Sequence, residues 1–127
     1  MYVCSPDAGA EKKIYGLCQE IGYTKEIIFG RKHRDVASGK LQHADVINTE
    51  MPDNILIVDD ICDGGGTFSM LAEAIQLKNP ECKISLAISH GIFSKGLPVN
   101  RIAHVYTTDS FQKIAETDYI TQISITI

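Results

Sequence analysis

The 127-residue sequence predicts one α/β domain, residues 1–127, in which helices flank a mainly parallel, twisted sheet. Short apolar runs alternate along the chain with amphipathic segments, and this alternation is typical of βαβ units. The apolar run at residues 55–58 contains no polar position, as expected for a parallel strand that is covered on both faces. No repeat, low-complexity stretch or linker divides the chain, so a single domain is predicted.

The first part of the chain predicts two strands and a helix. Residues 2–4 predict a short opening strand, and residues 26–29 predict a second one. The helix between them ends at Gly22. Its apolar positions, at helical spacing, are Ile14, Leu17, Cys18 and Ile21. Its polar positions, expected to face outward, are Glu11, Lys12, Lys13, Gln19 and Glu20. After the second strand, Gly30 begins a polar segment that runs to about Leu41.

The second part predicts a strand–loop–helix unit followed by three more strands. Residues 54–58 predict the central strand. The helix after the loop ends at Asn79 and Pro80. One face of this helix carries Phe68, Leu71, Ala72 and Ile75. Residues 83–89 and 101–107 predict further strands, and the alternating tail at 120–127 predicts an edge strand.

Composition and charge exclude several classes of function. The net charge of −4 argues against a nucleic-acid surface, although Arg31-Lys32-His33-Arg34 is locally basic. No apolar run approaches the roughly 20 residues of a membrane helix, and no signal peptide precedes the first strand. The four cysteines are scattered without the spacing of a zinc site. We therefore expect a cytoplasmic protein with reduced thiols and with neither a membrane nor a nucleic acid as partner.

The segment that follows the central strand carries the strongest functional signal. Its acidic, glycine and threonine positions are Asp59, Asp60, Asp63, Gly64, Gly65, Gly66 and Thr67. Glycines let backbone N–H groups approach an anion closely. A threonine cap places the positive end of the next helix at the same point. The segment predicts a phosphate cradle with acids beside it for hydroxyls or a divalent cation, although a glycine-rich turn between a strand and a helix is common without any ligand.

Two other polar clusters follow predicted strand ends. Because the carboxyl ends of parallel strands lie along one edge, these clusters can converge with the glycine segment. Asp7, in Ser5-Pro6-Asp7-Ala8-Gly9, could help to hold Mg²⁺ or could cap the following helix, and both interpretations stay open. The basic run Arg31–Arg34 could close over a ligand and bring cations to developing negative charge, or could be a solvated loop.

These clusters together resemble a known family. Residues 55–67 resemble the phosphoribosyl pyrophosphate (PRPP) motif of the type I phosphoribosyltransferase fold. Nearly the whole chain resembles the C-terminal half of ribose-phosphate pyrophosphokinases, the PRPP synthetases. The motifs whose order and spacing carry this second resemblance are Ser5-Pro6-Asp7-Ala8-Gly9, Lys32-His33-Arg34, residues 58–67, Ser89-His90-Gly91 and Val105-Tyr106-Thr107-Thr108-Asp109-Ser110.

The resemblance implies a reaction. It implies Mg²⁺-dependent transfer of the diphosphate of ATP to ribose 5-phosphate, which gives PRPP and AMP for nucleotide biosynthesis. Lys32 and Arg34 match a catalytic lysine and its partner arginine on a mobile loop, and both would stabilise the transferring group. Asp7 matches an aspartate that is associated with the metal site.

The resemblance also implies how the acceptor is bound. Asp59 and Asp60 would face the ribose hydroxyls, and Asp63 to Thr67 would hold the 5-phosphate. Two positions depart from the family pattern. Gly64 stands where a threonine is usual and removes one hydroxyl donor, and Ala10 replaces a common glycine.

Members of this family have two such domains, and the N-terminal one supplies ATP-binding residues and a metal-ligating histidine. The sequence starts at what resembles the first motif of the second domain. We therefore expect a homo-oligomer, or association with an N-terminal half. Two alternatives stay open. One is a phosphoribosyltransferase that uses PRPP as donor, although no segment predicts a base-recognising hood. The other is a non-catalytic sugar-phosphate-binding module.

Overall fold

The computed structural model describes residues 1–34, 36–39, 41–62, 66–91, 93, 101–108 and 117–123, without the side chains of 34, 41, 42, 61, 62, 66, 67 and 123. The strands are β1 (Tyr2–Ser5), β2 (Ile28–Arg34), β3 (Leu41–Val46), β4 (Asn54–Cys62), β5 (Lys83–Gly91), β6 (His104–Thr108) and β7 (Ile120–Ile123). The helices are α1 (Glu11–Ile21) and α2 (Gly66–Lys78), and a short 3₁₀ helix, Ala8–Ala10, precedes α1. None of the helices in these ranges is long and apolar enough to cross a membrane.

The described strands form one seven-stranded sheet in the order β3-β2-β1-β4-β5-β6-β7. All neighbours are parallel except β2 and β3, which are antiparallel. The predicted mainly parallel α/β fold is confirmed. The predicted edge strand is also confirmed for Ile120–Ile123, because β7 pairs only with β6 in this order, whereas residues 124–127 lie outside the described part.

The two helices cover opposite faces of the sheet. Successive strand residues point to opposite faces, and Ile57 of β4 belongs to the α2 core whereas its neighbour Val58 packs with α1. On the α2 side, the fully buried residues include Ile55, Ile57, Leu71, Ile75, Ile84 and Leu86. On the α1 side, Ile14 and Cys18 pack against Val3. This double coverage explains why the central strand has an unbroken apolar run.

The helix boundaries follow from local chemistry. Gly22 adopts a left-handed conformation, with φ of 73°, and its N–H donates to the carbonyl of Cys18, so α1 ends where the sequence predicts. α2 begins at Gly66, one residue before the predicted cap, so Thr67 lies inside the first turn and is not the cap. At its other end, Lys78 Nζ donates to the carbonyls of Val46 (2.9 Å) and Asn48 (2.8 Å), which ties α2 to the end of β3.

The basic run is part of a β-hairpin, so the second strand lies at Ile28–Arg34 instead of at 26–29, and the basic run is not a loop. β2 continues to Arg34 and pairs with β3, a strand that was not predicted. Both apolar and polar contacts hold this hairpin: Val46 and Ala44 of β3 pack against the α2 core, and polar residues pair across the two strands. The rings of His33 and His43, which are register partners, stack with centroids 4.2 Å apart.

The central strand is longer than predicted. β4 continues past Val58 through both acids to Cys62, and its extension pairs with β5 at Asp59–Ile88 and Ile61–His90. Backbone pairing with β5 keeps this extension in a strand although Asp59 and Asp60 are polar. Asp59 and Asp60 are therefore held on a strand, and a strand fixes side-chain direction better than a loop does.

Candidate functional site

The strand order places a crevice between β1 and β4. From β1 the chain proceeds to β2 and β3 on one side, and β4 starts the other half of the sheet on the opposite side. In open α/β sheets, ligands bind outside the carboxyl ends of the strands at such a point of reversal. The turn after β1 carries Asp7, and the end of β4 carries Asp59 and Asp60. Two of the predicted polar clusters therefore meet at this crevice.

Asp7 has both carboxylate oxygens engaged. Oδ1 accepts a hydrogen bond of 3.0 Å from the N–H of Ala10, so Asp7 caps the short 3₁₀ helix, as one of the two open interpretations predicted. Oδ2 lies 2.8 Å from Nζ of Lys32. Ser5 is fully buried and its hydroxyl donates to the carbonyl of Asp7 at 2.9 Å, which fixes the turn.

The charge state of Asp7 follows from these contacts. Burial is the largest single influence and by itself raises the pKa of the carboxyl. The Lys32 ammonium and the N–H groups of Ala10 and Gly9 act in the other direction and together outweigh it. The pKa of Asp7 is therefore below its ordinary value, and the group is a carboxylate at neutral pH.

The pKa of Asp59 is shifted in the opposite direction from the pKa of Asp7. Burial is the largest cause and raises the pKa of Asp59 above its ordinary value, and the negative charges of Asp7 and Asp60 add to the rise. The backbone N–H of Asp60, which donates to Asp59 Oδ1 at 2.8 Å, and the charge of Lys32 lower the pKa. Asp7, Lys32 and Asp59 thus lie close enough to influence one another.

The first turn of α1 contributes two ion pairs that the sequence did not predict. Glu11 Oε1 lies 2.7 Å from Nη2 of Arg31 on β2, and Lys13 Nζ contacts Asp60 Oδ2 on β4. The amphipathic pattern placed both helix residues on the outward face. Both residues do lie at the helix surface, but this part of the surface faces the ends of the strands. Helical periodicity separates polar from apolar positions, and it does not predict which polar positions face another element.

Gly30 allows β2 to approach the turn after β1. A Cβ atom at Gly30 would lie 2.6 Å from the carbonyl oxygen of Pro6 and 3.0 Å from Cδ1 of Leu71. Such distances are shorter than van der Waals contact, so only glycine fits without a shift of the backbone. Since Lys32 is two residues further along β2, this close approach brings Lys32 within reach of Asp7.

Clefts lie on both sides of the end of β4. One, of about 190 Å³, opens between α1 and β4 and is lined by Ala10, Lys13, Ile14, Leu17, Val58, Asp59, Asp60 and Ser89. The other, also about 190 Å³, lies over β4, β5 and β6 and is lined by Val58, Asp59, Ala87, Ile88, Ser89, Tyr106, Thr107 and Thr108. Val58, Asp59 and Ser89 border both clefts, and Asp59 is the ionisable residue among these three.

The other predicted site residues are only partly described. The backbone of Arg34 ends β2 and pairs with Leu41, and its side chain lies outside the described part. Gly66 and Thr67 form the start of α2, again without described side chains. Asp63, Gly64 and Gly65 lie outside the described residues, so the phosphate cradle stays a prediction.

The donor set is compatible with Mg²⁺. No group of three or more His, Cys, Asp or Glu side chains that could hold a metal occurs within the described ranges. Mg²⁺ is usually held by one or two carboxylates together with waters and substrate phosphates, and does not require an all-protein cage. Asp7 and Asp59 offer such oxygens. At Asp7, a cation would have to displace or share the contact with Lys32.

Comparison with known proteins points to one kind of enzyme. No protein-family model matches the chain. The ribose-phosphate pyrophosphokinase of Mycoplasmopsis pulmonis is 38% identical over 103 residues, which cover 81% of this chain and 32% of that protein. The enzyme of the same name from Streptomyces coelicolor is 31% identical over 130 residues, covering 97% of this chain and 39% of that protein. That from Rhizobium meliloti is 31% identical over 114 residues, covering 87% and 36%.

A solved structure has the same fold. Phosphoribosylpyrophosphate synthetase from Mycobacterium smegmatis superposes with a TM-score of 0.73 at 21% identity, covering 98% of this chain and 40% of that one. The chain spans about a third of the length of the curated relatives that it matches. The resemblance predicted from the sequence is confirmed, and the chain is a homologue of ribose-phosphate pyrophosphokinases over that part of their length.

Proposed function

We propose that the chain binds ribose 5-phosphate at the crevice between β1 and β4 and takes part in transfer of the diphosphate of ATP to it. The observation that carries the proposal is the meeting of Lys32, Asp7 and Asp59 at the carboxyl edge of the sheet. The relatives are named ribose-phosphate pyrophosphokinases, which supports ribose phosphate as the acceptor. A half-buried carboxylate next to a cation suits recognition of a sugar phosphate and stabilisation of a transferring phosphoryl group.

The acids and the glycine segment have separate tasks in this proposal. Asp59 and Asp60 accept hydrogen bonds from the ribose hydroxyls, and Asp63, Gly64, Gly65, Gly66 and Thr67 bind the 5-phosphate. Asp59 is half-buried on β4 and Asp60 is exposed beside it, and the carboxylate oxygens of both can accept hydrogen bonds from hydroxyls. The start of α2 provides N–H groups and a partial positive charge, which suit a phosphate.

Lys32 and Arg34 stabilise the negative charge of the transferring group. The anomeric hydroxyl oxygen of ribose 5-phosphate forms a bond to the β-phosphorus of ATP. The bond from that phosphorus to the oxygen bridging the α- and β-phosphates breaks, AMP leaves, and the hydroxyl proton is released. Positioning and charge stabilisation provide most of the catalysis in such transfers, so cations on a hairpin suffice without a nucleophilic side chain.

Asp7, together with substrate phosphates, would hold Mg²⁺. When bound, the ion neutralises charge on the diphosphate and orients it. Because Lys32 contacts Oδ2 of Asp7 at 2.8 Å, an ion held by Asp7 would displace or share that contact, and Lys32 would lie beside the phosphates that the ion binds.

The ATP side of the site comes from another chain segment in this proposal. The chain spans about a third of its relatives, so either a second copy of the chain or an N-terminal half supplies the nucleotide contacts. The expected assembly is therefore a homo-oligomer or a two-part enzyme. The cytoplasm, where ATP and ribose 5-phosphate meet, is the expected location.

A product assay tests the proposal. The chain, alone and together with the N-terminal half of a ribose-phosphate pyrophosphokinase, is incubated with ATP, Mg²⁺ and ribose 5-phosphate, and AMP and PRPP are quantified. Formation of both products in equal amounts, abolished by Lys32→Ala, supports diphosphate transfer. Formation of product from PRPP and a nucleobase, without any product from ATP, would instead identify a phosphoribosyltransferase.

A second candidate function is a sugar-phosphate-binding module without catalysis. The short span of the chain relative to the pyrophosphokinases favours it. In that case ribose 5-phosphate binds with measurable affinity, and neither AMP nor PRPP forms when ATP and Mg²⁺ are added, with or without an N-terminal half.

A further inference from the structure

Lys13 reaches over the α1–β4 cleft to an acid of the site. It lies in the first turn of α1, and its Nζ pairs with Oδ2 of Asp60. Both residues line the cleft, together with Ile14, Leu17, Val58 and Asp59. The helix thus provides one wall of the cleft, and its lysine contacts the carboxylate on the opposite wall.

The aspartates around the cleft are only partly neutralised. Among the described residues, three aspartates lie at this edge of the sheet, and two of them pair with an ammonium group: Asp7 with Lys32 and Asp60 with Lys13. The contact with Asp60 raises the pKa of Lys13, and the charge of Asp59 adds to the rise. Among the described residues that line this cleft, Lys13 is the one cation, and it contacts Asp60, the acid whose strand position faces the α1 side.

We propose that Lys13 is a positioning residue for ribose 5-phosphate. It holds the Asp60 carboxylate towards the cleft, in place to accept hydrogen bonds from the ribose hydroxyls. It also offsets the negative charge that an anionic sugar phosphate meets on entry. This inference rests on the proposed function, since it assigns Lys13 a part in binding the same ligand.

A purely structural role for the pair is the competing explanation. The Lys13 and Asp60 side chains are 71% and 51% exposed, and exposed ion pairs contribute little to folding stability. Replacement of Lys13 should therefore leave the fold intact. The neighbouring Lys12 provides a matched control, because it is an exposed lysine of the same helix turn that does not line the cleft.

The test is calorimetric titration of ribose 5-phosphate into the full chain and into three variants, at low and high salt. We expect Lys13→Met to raise the dissociation constant about fivefold at low salt and to reduce its dependence on salt. Lys13→Arg, which keeps the charge and the reach, should remain within about twofold of the wild type. Lys12→Met should not change the affinity. Thermal unfolding of each variant verifies that it is folded.

A second readout measures the contact without ligand. NMR titration of the Lys13 side chain should give a lower pKa in Asp60→Asn than in the wild type. If Lys13→Met binds ribose 5-phosphate as well as Lys12→Met does, the positioning role is overturned and the proposed function stands. If the wild type does not bind ribose 5-phosphate at all, the proposed function itself fails, and this inference fails with it.

Discussion

Lys32 Nζ lies 2.8 Å from Asp7 Oδ2 and joins the β2–β3 hairpin to the turn after β1. The two residues come from separate polar clusters in the sequence, and the sheet brings them to one edge. Their side chains are only 19% and 27% exposed, so the contact is more sheltered than a typical surface ion pair. A cation on β2 is thereby held next to the acids at the point where the strand order reverses.

Lys32→Met should destabilise the fold at neutral pH and much less in acid. The folded-state pKa of Asp7 is below its ordinary value of 3.8, so the native state binds fewer protons than the unfolded state around that pH. The associated stability is fully present above pH 3.8 and is lost as the pH falls through the folded-state pKa. We expect a loss of about 1 kcal/mol at pH 7, measured by urea unfolding. An equal loss at pH 7 and at pH 2 would contradict this explanation.

Asp59→Asn should stabilise the fold at neutral pH. Burial raises the folded-state pKa of Asp59, so the native state binds the proton more tightly and ionisation lowers stability as the pH rises above 3.8. Asparagine keeps an oxygen for the Asp60 N–H without the charge. The expected gain is about 0.5 kcal/mol at pH 7 and vanishes at low pH, where the aspartate is protonated in both states. Lower stability of the variant at pH 7 would contradict this explanation, because it would show that the negative charge of Asp59 is favourable in the folded state.

Gly30→Ala should destabilise the protein and weaken the Lys32–Asp7 contact. The new Cβ would lie 2.6 Å from the backbone oxygen of Pro6, which cannot move as a side chain can. We expect a cost of about 1–3 kcal/mol in urea unfolding. Gly16→Ala is the matched control. It lies in α1 with no atom within 4 Å of the new Cβ, and should stabilise the fold by about 0.5–1 kcal/mol. Similar effects of the two changes would refute the proposed role of the close approach.

The sequence predicts most of the fold because local patterns specify it. The apolar run at 55–58 and the spacing of Ile14 and Cys18 each describe one element, and tertiary packing then agrees with them. The β2–β3 hairpin was not predicted because its residues are mostly polar, and the burial of Val46 against α2 depends on tertiary packing. His33 and His43 stack there, and neither residue alone indicates a strand.

The candidate site, like the fold, could be predicted only in part from the sequence. The convergence of Asp7 with Asp59 could be predicted, because parallel strands end along one edge of a sheet. The ion pairs could not be predicted, since they depend on register and on where α1 begins. Lys13 is the example: helical periodicity places it on the polar face, and only the packing of α1 against the sheet directs that face towards Asp60.

Binding of ribose 5-phosphate is the most direct test of the central claim, which is that the acids at the end of β4 hold the acceptor. Calorimetric titration should give saturable binding to the wild type that is lost in Asp59→Ala and in Asp60→Ala. Binding should be retained in Lys32→Ala, because Lys32 acts on the transferring group and not on the acceptor. Ribose without its phosphate should bind far more weakly. Unchanged binding in both aspartate variants, or loss of binding in Lys32→Ala alone, would contradict the assignment of the site.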